Sequence, residues 1–260
     1  MSGDGEDGRG GASSPPAPGP AAAPRPDGGM GPETAEGGQP PAPAAPPRSI
    51  SSQKKIEILA RLRAAGSPGR AAKLRAANRT EREAWGVEGG LLSEMAQDLR
   101  AEISVDGRVL LADALWREGV LETRMLALKL LTQARMRPDH GAWDLLSRWV
   151  YRFDCRAVAE AGAAALARRL AAEPARLAVL DDWAAASNVW TRRCVFSATA
   201  GFAKGRHPSA EEIAARDKVV ALARAMEGET RPVIRQAIDS WCTALARHDP
   251  ERAAQAVARR

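Results

Sequence analysis

Trp190 and Arg193 stand three residues apart in the segment SNVWTRRC, and a helix places that spacing on one face. An indole plane can lie against a deoxyribose while a guanidinium holds the neighbouring phosphate. Neither contact reads a base. The chemistry such a pair suits is a grip on a phosphodiester backbone, with Arg192 and Lys204 as further cations along the same predicted helix. Taken alone, the motif favours a plainer reading, a core tryptophan beside a surface arginine; the rest of the chain shifts that balance.

The elements that must position these residues occupy only part of the chain. Residues 1–48 hold twelve of the eighteen prolines and eleven glycines with almost no large apolar side chain, so this segment cannot bury enough surface to offset its ordering entropy. It is expected to be a disordered tail, followed by one folded domain over 49–260. The tail carries three arginines against six carboxylates, so the total of +6 leaves +9 on the folded part. A basic domain points to an anionic partner, although charge by itself does not separate nucleic acid from an acidic protein.

No secretory signal pattern opens the chain and no stretch is apolar enough to span a bilayer, so a cytoplasmic location is expected, with no membrane partner. Cys155, Cys194 and Cys242 lie far apart in helical patterns with no CxxC pair, which implies neither a disulfide frame nor a zinc site. His140, His207 and His248 are scattered near turn signals and read as surface or capping residues.

From Ser49 onward the apolar spacing is helical, rich in Ala, Leu and Arg, with hardly any alternation of the β type. The class is all-α. Helices are expected near the Ser51 and Ser67-Pro68 starts and over 89–101, 107–117, 120–136, 139–152, 154–171, 174–187, 188–204, 209–226, 230–247 and 249–259. The links are short, so consecutive helices pack antiparallel, as a large bundle or an α-solenoid. The segments Leu111–Leu130 and Leu177–Phe196 share a plan, a helix ending in tryptophan, a link, then a helix with arginine in its first turns. That recurrence favours stacked pairs with one concave surface.

The ordered blocks WGVEGGLLSEMAQDL (85–99), LWREGVLETRMLALKLL (115–131), WVYRFDCRAVAEA (149–161), WAAASNVWTRRC (183–194), GFAKGRHPS (201–209) and VIRQAIDSWCTALARHDPERAAQAV (233–257) resemble the AlkD-type DNA alkylation repair proteins. Those are HEAT-like repeat DNA glycosylases. The resemblance covers nearly all of 50–260. It implies a concave basic face that grips duplex DNA through its phosphates, excision of cationic N-alkylated purines, no metal or cofactor, and a monomer.

The family's chemistry places a carboxylate near the lesion sugar, where it stabilises an oxocarbenium-like charge. Trp190 and Arg193 match the family's W-x-x-R spacing, whereas Arg156 and Glu160 stand where the family usually carries tryptophan and, four residues later, aspartate. Three readings follow. Glu160 does the aspartate's work with one more methylene; Asp154 serves instead, although its position suits a helix cap better; or catalysis is lost and Arg156 adds a phosphate contact to a retained DNA-binding scaffold. Gln236, Cys242 and Thr243 also depart from the family's closing block. Trp241, Trp85, Trp116, Trp143 and Trp183 read as packing residues, and Trp149 stands between packing and DNA contact. Beside a glycosylase and a non-catalytic DNA-binding relative, a third expectation from another class is a protein-interaction solenoid with an acidic partner.

Overall fold

The structure, a computed structural model, describes residues 50–256, with side chains from Ser52 onward. The tail expected over 1–48 and the end of the last expected helix lie outside the described residues. Among the described residues there are thirteen α-helices, two 3-10 segments and no strand.

Local sequence accounts for most of the helix starts. Pro68 opens α2 (Pro68–Asn78), which closes on Arg79 in the left-handed region. Ser104 caps α4 (Val105–Arg117) by accepting from the Gly107 N–H at 3.2 Å, and Ser209 with Glu212 forms a reciprocal capping box on α11 (Ala210–Ala225). Pro232 opens α12 (Pro232–Ala246).

Five helices pack each on the next in a row: α3 (Gly89–Glu102), α5 (Leu121–Leu130), α7 (Arg156–Ala172), α9 (Val189–Ser197) and α12. Behind them, α1 (Ile50–Ala64) packs on α4 and α4 on α6 (His140–Trp149). Further pairs cross between the sets, α4 with α5, α6 with α7, and α8 (Leu180–Ala185) with α9. α10 (Ala200–Lys204) and α13 (Pro250–Ala256) both rest on α11 and α12. The core runs through the row, since Leu92, Leu126, Leu166, Val195 and Ile234, one from each of its helices, are all buried. Apolar burial of this kind is the main favourable term in holding such helices together.

Three expected helices are shorter or split. The one expected over 120–136 stops at Leu130, because the chain beyond it turns its carbonyls toward a buried cation. Arg169, fully buried on α7, donates to the carbonyls of Gln133 and Ala134 and to Asp139 Oδ2 at 3.0 Å. The helix expected over 188–204 breaks after Ser197: Thr199 returns its hydroxyl to the Val195 carbonyl at 2.5 Å, and its own carbonyl accepts from the Trp241 indole N–H at 3.3 Å. The stretch expected over 174–187 is a 3-10 segment, Pro174–Val179, followed by the short α8.

Candidate nucleic-acid interface

The site forms where the segment 150–157 enters α7 beside the start of α9. Three side chains fix that segment. Asn188, the cap of α9, accepts from the N–H groups of Trp190 (2.8 Å) and Thr191 (3.4 Å) and donates to the carbonyls of Tyr151 (3.1 Å) and Phe153 (2.9 Å). Asn78, at the end of α2, accepts from the Ala157 N–H at 2.8 Å and so satisfies one of the open donors at the start of α7. Arg82 holds Asp154 through Nε at 2.9 Å and through its terminal nitrogen, and also donates to the Gly119 carbonyl.

An aromatic column lies beneath. Trp149 stacks on Trp116 at 4.4 Å with planes 4° apart, Phe153 meets Trp116 edge-on, and the Arg124 guanidinium covers the other side at 4.3 Å. Gly162 is required here, since a Cβ at that position would come within 2.1 Å of the Phe153 ring. Trp149 is 5 % exposed. Of the two expectations held open for Trp149, packing or DNA contact, its burial and its stack on Trp116 fit packing. Trp116, Trp183 and Trp241 are buried as expected, whereas Trp85 and Trp143 are half-buried, each under a guanidinium, Arg63 and Arg176 respectively.

On this base, α7 and α9 bring Arg156, Glu160 and Arg193 together. Arg156 Nε lies 2.7 Å from Glu160 Oε1, and Arg193 approaches the same oxygen at 3.7 Å. The Arg156–Glu160 pair is open to solvent, at 60 % and 49 % exposure, while Arg193 is largely covered. The hydrogen bond and charge of Glu160 raise the Arg156 pKa above its ordinary value. Trp190 sits one turn before Arg193, half-buried, with part of its ring packed on the core.

Asp154 does not cap α7, contrary to the sequence expectation; the cap position is Cys155, with no side-chain bond to the helix. Its carboxylate is drawn away by Arg82 and by Arg124, the latter at 3.7 Å. Burial, followed by the nearby Arg82 charge, lowers the Arg124 pKa. Each of the two candidate carboxylates is thus flanked by two guanidiniums, leaving two positive charges in excess over these six groups. Such a surface suits an anion and screens a carboxylate that would have to face a developing cation.

Two expected contacts lie elsewhere. Arg192 pairs at 2.5 Å with Glu229, a side chain only 3 % exposed, and Glu229 is also held by Arg231 at 2.8 Å. Arg192 therefore serves to attach α9 to the segment after α11. Lys204, exposed at the end of α10, has no ion-pair partner among the described residues, and the structure gives no contact between it and the Glu160 group. Sequence reasoning missed Arg82, Arg124 and Asn78. Asn188 was missed as well, although its place directly before an apolar helix start is that of a cap.

Among the described residues no group of three or more His, Cys, Asp and Glu side chains is placed to hold a metal ion, and no helix is long and apolar enough to cross a membrane. The cysteines are free and buried. No curated protein and no solved structure matches the chain. A family model does match, over residues 58–260, that of the DNA alkylation repair enzymes, and the chain belongs to that family.

Proposed function

We propose that this chain is a HEAT-like α-solenoid that binds duplex DNA by its phosphodiester backbone and excises cationic N-alkylated purines weakly or not at all. The row α3–α5–α7–α9–α12 is its DNA-facing layer, with Trp190 against a sugar and Arg193 and Arg156 on phosphates. One observation carries the reading: Glu160, the residue in the position of the family's carboxylate, is held by Arg156 at 2.7 Å and approached by Arg193 at 3.7 Å.

In excision the glycosidic C–N bond breaks with its electron pair passing to the cationic base, which leaves neutral. Positive charge grows on the sugar, water adds there, and a proton is lost. The base already leaves readily, so the protein's task is to stabilise the sugar cation electrostatically. A carboxylate screened by two cations does this poorly. The same cations suit the ground-state grip on phosphate, so the site favours binding over chemistry.

The test is binding to an undamaged duplex as salt is varied. Each phosphate neutralised by the protein contributes about −0.9 to the slope of log affinity against log salt. Arg193→Ala should weaken binding and make that slope shallower by about one. A complex insensitive to salt, or none at low salt, contradicts DNA as the partner.

A further inference from the structure

Beyond the Glu160 group, a cleft of about 520 Å³ opens between the segment 134–140 and the C-terminal half of α7. Arg135, Arg137 and Arg168 line it, all exposed and without an acidic partner among the described residues. The carboxylates of its wall are already engaged. Asp139 accepts from Arg169 at 3.0 Å and from Arg176 at 2.8 Å, and Glu173 lies 2.8 Å from Arg176. Asp144 also acts on Arg176, yet five arginines still outnumber three carboxylates.

Arg169 and Arg176 serve the fold, whereas Arg135, Arg137 and Arg168 make no side-chain hydrogen bond or ion pair among the described residues. With the Asp139 oxygens drawn to Arg169 and Arg176, α6 begins at the cleft wall without a side-chain cap. Burial lowers the Arg169 pKa, with the Arg176 and then the Arg168 charge adding to it and Asp139 opposing. The cleft and the candidate site share the exposed side of α7. Arg156, Glu160, Ala164 and Arg168 form one exposed i, i+4 line along α7, with only alanine between Glu160 and Arg168. Eight residues of helix put those two positions about 12 Å apart.

We propose that Arg135, Arg137 and Arg168 form a phosphate-binding cleft for the nucleic-acid backbone that flanks the segment gripped at Trp190 and Arg193. The inference rests on the DNA-binding reading above. A phosphate bound here fixes the path of the strand along α7, so the cleft contributes affinity and register without reading sequence.

The experiment measures the affinity of the full chain for an undamaged duplex of roughly two helical turns across a salt series, comparing wild type, Arg193→Ala and the triple variant Arg135→Gln, Arg137→Gln, Arg168→Gln. Two to three lost phosphate contacts should make the triple variant's slope shallower by about 2 to 3 and cost at least about tenfold in affinity at low salt. Its melting temperature should equal or exceed that of wild type, because the three side chains have no partners to lose; a slope change with unchanged melting supports the cleft. If the slope is unchanged in the triple variant while Arg193→Ala makes it shallower, the cleft is overturned and the DNA reading stands. If no variant binds duplex and wild type does not either, the DNA reading falls and the cleft with it. Saturable calorimetric binding of pyrophosphate that the triple variant abolishes, together with an unchanged duplex slope, also overturns the proposal in favour of a free phosphate ligand.

Discussion

Glu122 is fully buried on α5 and among the described residues faces no cation in an ion pair; it accepts the backbone N–H groups of Trp85 at 3.0 Å, Gly86 at 2.6 Å and Val87 at 3.2 Å. The turn it holds is tight. Gly86 has φ +77°, and a Cβ there would lie 2.2 Å from the Ser67 carbonyl oxygen, so the backbone must supply its own donors to a partner from elsewhere. Glu122→Ala leaves these donors open. A buried donor without an acceptor costs about 1–3 kcal/mol, and the Gly86 and Val87 contacts are buried while that of Trp85 is only partly so. Relief from burying a carboxylate offsets part of the loss. The expected destabilisation is about 3–5 kcal/mol, which for a domain of roughly 200 residues lowers the melting temperature by about 6–20 °C. Glu122→Gln keeps one acceptor oxygen and should lose about half as much. Urea unfolding followed by circular dichroism measures both variants. A loss below about 1 kcal/mol for Glu122→Ala would refute the claim that this carboxylate holds the turn.

Two further outcomes follow from the site's surroundings. Asp139 has its pKa lowered, first by the Arg176 hydrogen bond and then by the Arg176 and Arg169 charges, so its contribution to stability is full above the unfolded carboxylate pKa and is lost as pH falls through the lower folded value. The melting-temperature gap between wild type and Asp139→Asn should therefore be large near neutral pH and narrow toward strongly acidic pH; a gap that is constant or widens on acidification contradicts this. Burial pushes Cys194 up to about 12 and raises Cys155 and Cys242 as well, so all three thiols should resist a disulfide reagent at mildly alkaline pH until urea unfolds the chain. Rapid labelling of the folded protein would contradict that.

Much of this architecture was legible in the sequence because it is local. Helix periodicity and the Ser67-Pro68 start marked most of the elements, and the four-residue spacing of Arg156 and Glu160 is the one at which they pair. What stayed hidden depends on contacts distant along the chain. Nothing near Leu130 says that α5 ends there; the cause is Arg169, some forty residues later, drawing the carbonyls of Gln133 and Ala134. Glu122 looks like a solvated charge on a helix, and only the turn at Trp85–Val87 makes it a buried acceptor. Trp149 could not be assigned to surface or core until Trp116 was seen stacked on it. The same holds for Asp154, whose place before α7 suggests a cap but whose oxygens go to Arg82 and Arg124.

In the proposed reading Glu160 takes the family's carboxylate position, and Arg156 at 2.7 Å and Arg193 at 3.7 Å screen it. The most direct test of that reading is the release of methylated purine base from duplex DNA under single-turnover conditions, for wild type, Glu160→Gln and Arg156→Trp. Wild type should release base slowly or not at all, Arg156→Trp should release it faster, and Glu160→Gln should abolish whatever release remains. Robust wild-type excision that survives Glu160→Gln contradicts the assignment of Glu160, and robust wild-type excision lost in that variant contradicts the screening by Arg156 and Arg193.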